Sequence, residues 1–94
     1  MKHAGDQTLD ALEGLLNRLR AVEGLQEKKR GSFYRESRAF LHFHEDPAGF
    51  FADLRVADDW RRLPVNSRAE QTALLTAARA AIAGLRHSKT IHRV

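Results

Sequence analysis

Two histidines, His42 and His44, are separated by a single residue in the run Phe40-Leu41-His42-Phe43-His44-Glu45-Asp46. Residues two apart on a β-strand project from the same face. This His-x-His pair therefore offers two imidazole nitrogens to one divalent metal. A second run, Gly49-Phe50-Phe51-Ala52-Asp53-Leu54-Arg55-Val56, adds a carboxylate and a guanidinium. Asp53 suits a third metal ligand, or a group that fixes the tautomer of one imidazole. Arg55 suits an anion. The same residues invite a catalytic reading, with histidine as general base and aspartate as its orienter. No nucleophile accompanies them, since Ser32 and Ser37 fall at a strand end and in a turn. There is no glycine-rich phosphate loop, G-x-S-x-G elbow or paired-carboxylate signature. An enzymatic reading is not favoured, and no cofactor is called for.

Positioning these groups is the task of a hairpin. Asp46-Pro47-Ala48-Gly49 reads as its turn: proline presets one dihedral, aspartate bonds the backbone ahead, and glycine accepts an unusual φ. With that turn Glu45 faces Phe50, His44 faces Phe51, Phe43 faces Ala52, His42 faces Asp53, Leu41 faces Leu54 and Phe40 faces Arg55. One face then carries Ala39, Leu41, Phe43, Ala52, Leu54 and Val56, which is apolar throughout and belongs under a helical layer. The other carries Phe40, His42, His44, Phe51, Asp53 and Arg55. A slip of one residue sets Leu41 against Asp53 and is disfavoured. A two-residue loop at Ser37-Arg38 in the preceding hairpin places Phe33 opposite His42. Phe33 thus joins Phe40 and Phe51 in an aromatic patch of a kind that monomers rarely expose.

The rest of the chain supplies the elements around this hairpin. Leu9, Leu12, Leu16 and Leu19 follow helical spacing, widened by Leu15 and Val22, with Asp6 or Thr8 as N-cap and Gly24 as stop. Gln26 to Gly31 reads as a polar connector. Strands are predicted over 32–35, 39–45, 50–56 and 60–65, Pro64 confining the last to an edge or an end. Trp60 is expected as a core-edge anchor. Ser67-Arg68-Ala69-Glu70 is a capping box that opens a helix with Leu74, Leu75, Ala78, Ala81, Ile82 and Leu85 on one face. The predicted fold is α+β, a two-layer sandwich in the order α-β-β-β-β-α, with an antiparallel meander sheet and both helices on one face. Residues 1–94 form a single domain, with 1–7 and 87–94 expected to be flexible.

Composition narrows the class. The chain has 94 residues and no cysteine, which rules out disulfides and thiolate zinc sites and fits a reducing, cytoplasmic setting. No run approaches the roughly 20 apolar residues of a membrane span, and no signal-peptide pattern opens the chain. A net charge of +4 admits nucleic acid as a partner, but the charges form no single block. Exposed aromatics on a sheet suggest base stacking, yet this strand order is not that of the RNA-recognition fold, so RNA is disfavoured. The stretch Gly31 to Val65 resembles a group of short bacterial proteins without an assigned activity. The shared features are Phe33-Tyr34, the F-L-H-F-H-E-D segment at Phe40 to Asp46, and the G-x-F-A-D-L-R strand at Gly49 to Arg55. The resemblance implies a stand-alone α+β domain and no particular chemistry. The expected function is a binding module that forms a homodimer through Phe33, Phe40 and Phe51. The alternative is a small-molecule or divalent-metal site at His42, His44 and Asp53, with Arg55 as an anion-binding group.

Overall fold

The computed structural model describes residues 1–91, with side chains through residue 84. Its elements are β1 (Lys2–His3), α1 (Asp6–Ala11), α2 (Glu13–Arg20), β2 (Gln26–Lys29), β3 (Ser32–Arg35), β4 (Arg38–Asp46), β5 (Gly49–Val56), β6 (Asp59–Pro64) and α3 (Arg68–Ile91). The fold is α+β, and the sheet is antiparallel in the order β2-β3-β4-β5-β6, a meander. Two strands join the expected four. The polar connector forms β2 on the outer side of β3. Lys2 and His3, within the stretch expected to be flexible, pair with Glu45 and His44 on β4. At the other end, α3 continues past His87 to Ile91, and residues 92–94 lie outside the described residues.

The predicted first helix divides at Leu12, whose φ of −99° and ψ of 9° leave the α region between α1 and α2. Its amide still bonds Thr8 and Leu9, so the leucine stripe stays in phase across the break. Neither Asp6 nor Thr8 caps this helix; Gly5 occupies the N-cap position without a side-chain bond. The capping box forms as predicted. The Glu70 amide donates to Ser67 Oγ at 3.1 Å, and Glu70 Oε1 accepts from the Ser67 and Asn66 amides.

The β4–β5 register is the predicted one from Leu41↔Leu54 through Asp46↔Gly49. The β3–β4 register is not. Its two turn residues are Glu36 and Ser37, at φ of 52° and 71°, both left-handed as the tight hairpin turn requires. Arg35 then pairs with Arg38 and Tyr34 with Ala39, but Phe33 pairs with Leu41, leaving Phe40 as an extra residue, a β-bulge. The bulge turns Phe40 inward and sets Phe33 on the apolar side. Both residues are core, 3% and 1% exposed, in one cluster with Leu41, Phe43, Ala52, Leu54, the leucines of α1 and α2, and Leu74, Ala78 and Ile82 of α3. The helices thus share one core with one face of the sheet. No described helix is long and apolar enough to cross a membrane.

Candidate metal centre

The face of the sheet turned away from the helices carries the polar residues. His42 and His44 leave β4 on this side, as strand alternation requires, and their ring centroids lie 4.9 Å apart. His3 comes in from β1. Its ring stacks on His44 at 4.8 Å and stands 5.8 Å from His42. One nitrogen from each of the three rings falls within a group no more than 4.8 Å across. A zinc ion about 2.0–2.1 Å from each nitrogen needs them closer together, so the rings would have to close inward to share one. His3 is exposed and the other two are half-buried, which leaves one side open.

Asp53, expected as a third ligand, is paired with an arginine instead of standing free. Both of its oxygens are engaged by Arg62, Nε to Oδ1 and a terminal nitrogen to Oδ2, each at 2.8 Å. Cross-strand pairing sets this up, since Asp53 faces His42 on one side and Arg62 on the other. The Arg62 guanidinium, first of all, holds the Asp53 carboxyl below its ordinary range despite burial. His44 Nε2 lies 2.9 Å from Asp53 Oδ2, near enough for a charge interaction. The direction is wrong for a hydrogen bond, however, so this nitrogen counts as unpaired. His42 Nδ1 and His44 Nδ1 are likewise buried without partners. Burial, and next the neighbouring His44, push the His42 imidazole below its ordinary value, which favours the neutral form that binds metal.

The other candidates are placed differently from expectation. Arg55, expected as an anion-binding group, is held by two neighbours. Its Nε donates to the Ala39 carbonyl at 2.7 Å, and its guanidinium lies over the Trp60 ring at 4.4 Å. Trp60, expected at the core edge, is 41% exposed and also meets the His42 ring at 4.9 Å. The aromatic patch does not form, because Phe33 and Phe40 lie in the core and only Phe51 stays on this face. A cavity of about 410 Å³ opens between β1, α1, the β2–β3 turn and β4, with His3 and His42 in its wall.

Comparisons with protein-family models, curated proteins and solved structures return no match. His3 is the residue that sequence reasoning missed. Nothing periodic surrounds it, and its place depends on a two-residue pairing with β4. The available signal was composition alone: three histidines, His3, His87 and His92, lie outside the His-x-His pair, and nothing in the sequence singles out His3 among them.

Proposed function

We propose that this protein binds a divalent transition metal through His3, His42 and His44. The observation that carries the reading is the convergence of three imidazoles, two of them with buried ring nitrogens that have no hydrogen-bond partner. An unpaired buried polar atom costs about 1–3 kcal/mol, and a metal ion would offset that cost. All-imidazole donors suit zinc, copper, nickel and cobalt better than magnesium or calcium, which prefer oxygen. Three protein ligands leave a fourth position for water or an exogenous donor. Asp53 belongs to the surroundings of the site, as a carboxylate beside the His44 ring that favours positive charge nearby.

The test is thermal unfolding with zinc, nickel, cobalt or magnesium added in turn. Zinc or its transition neighbours raise Tm, and magnesium does not. His3→Ala, His42→Ala and His44→Ala each remove most of the zinc effect. A zinc response unchanged from wild type in all three variants contradicts the site. A second reading, self-association through the same open face, draws on exposed Trp60 and half-exposed Phe51. A dimer seen by light scattering in metal-free buffer and lost in Trp60→Ala supports it.

A further inference from the structure

Two of the three imidazoles are held by the fold itself, since His42 and His44 share the nine-residue strand β4. His3 belongs to a strand of only two residues. Its ladder is Lys2↔Glu45, His3↔His44 and one further bond from the Ala4 amide to the Phe43 carbonyl at 3.1 Å. A pairing that short is marginal on its own. Two carboxylates of β4 add to it: Asp46, whose Oδ1 lies 3.7 Å from the Met1 ammonium, and Glu45, which makes the hydrogen bonds. Glu45 alternates with His44 and so leaves the sheet on the side where α1 lies. Its Oε1 accepts from the Gly5 amide at 2.7 Å and from the Thr8 hydroxyl at 2.8 Å, and its Oε2 lies 3.6 Å from the Lys2 ammonium. These contacts bracket His3 on both sides along the chain. The Gly5 and Thr8 contacts are charge-assisted hydrogen bonds, about twice as strong as neutral ones, and the Lys2 contact is an exposed ion pair.

We infer that Glu45 is a positioning residue for the metal centre: it docks the segment Lys2 to Thr8 on β4 and so delivers His3 to the other two imidazoles. The inference rests on the metal reading above. Docking of β1 and binding of the ion are then two sides of one coupling. If docking raises metal affinity by some factor, metal must tighten docking by the same factor. Glu45 touches the segment and not the histidine rings, so its effect on the ion passes through His3.

Zinc affinity is measured by competition with a chromophoric chelator at fixed pH, alongside hydrogen exchange of the Ala4 and Gly5 amides. Glu45→Ala lowers zinc affinity about tenfold, whereas Glu45→Gln, which keeps an acceptor for Gly5 and Thr8, stays within about twofold of wild type. Zinc slows exchange at Ala4 and Gly5 in the wild type and does not in His3→Ala. Should Glu45→Ala fail to fold, Thr8→Val removes one donor alone and gives a smaller loss in the same direction. Wild-type affinity in Glu45→Ala, or zinc binding that leaves both amides unchanged, overturns the inference while the metal site stands. A wild-type protein that binds no zinc overturns the metal reading itself.

Discussion

Towards the helices, β4 and β5 present Leu41, Phe43, Ala52 and Leu54, all buried in a single apolar cluster. Towards the open side the same two strands present His42, His44, Phe51, Asp53 and Arg55, tied to one another and to β1 and β6 by individual polar contacts. The first face is stabilised by burial, which is non-directional and tolerates small shifts. The second depends on directed pairs, Asp53 with Arg62 and Arg55 with the Ala39 carbonyl, and leaves ring nitrogens of His42 and His44 without partners. Damage to the helix-side face should therefore unfold the protein. Damage to the open face should alter what the protein binds and leave most of its stability intact.

The sharpest test of that contrast is the largest effect. Leu54 is fully buried, and Leu54→Ala should cost about 2–5 kcal/mol by chemical denaturation, with the range set by how far the site collapses. A loss below that of the open-face variants would break the comparison. Next comes the joint that holds both faces in register. Gly49 has φ of 135°, and a Cβ there would come within 2.6 Å of Asn66 Oδ1, which accepts from the Phe50 amide at 2.7 Å. Gly49→Ala should cost about 1–3 kcal/mol, and thermal melts of the two proteins measure it. Asp53→Ala removes the partner of Arg62 on the open face. It should cost about 1–2 kcal/mol, because Arg62 is half exposed and solvent recovers it. It should also weaken zinc binding without abolishing it, as calorimetric titration would show.

The smallest effect lies off both faces. Arg20 bonds Glu27 and Glu13, and Arg30 bonds Glu13. Arg20, above all, holds the Glu27 carboxyl below its ordinary range, and Arg30 and then Arg20 do the same for Glu13. A carboxyl depressed in the folded state contributes stability above its unfolded value, about 4.3 for glutamate, and loses it as pH falls through the folded value. Arg20→Met should thus lower Tm slightly near neutral pH, less so at high salt, and not at all once both carboxyls are protonated. A uniform loss at every pH would assign Arg20 a packing role instead.

The part of this molecule that could be read from sequence is the part governed by alternation and turn chemistry. Asp46-Pro47-Ala48-Gly49 fixed a register in which His42 faces Asp53 and Leu41 faces Leu54, and Ser67 with Glu70 marked the start of α3. What escaped depends on single-residue events. The extra residue at Phe40 reverses the side on which Phe33 sits, and with it the predicted aromatic patch and the dimer argument built on it. Asp53 pairs with Arg62, one strand further on. His3 reached the site through a pairing far away in sequence and too short to leave a pattern. Two of the three donors of the candidate site, His42 and His44, were therefore visible, and the third was not.

The most direct test of the metal centre is the long-range ¹H–¹⁵N spectrum of the histidine side chains during a zinc titration, which reports each imidazole nitrogen separately. The account predicts that one nitrogen each of His3, His42 and His44 shifts together to a metal-bound position at one equivalent of zinc. Shifts confined to His87 or His92, or none at all, would contradict it.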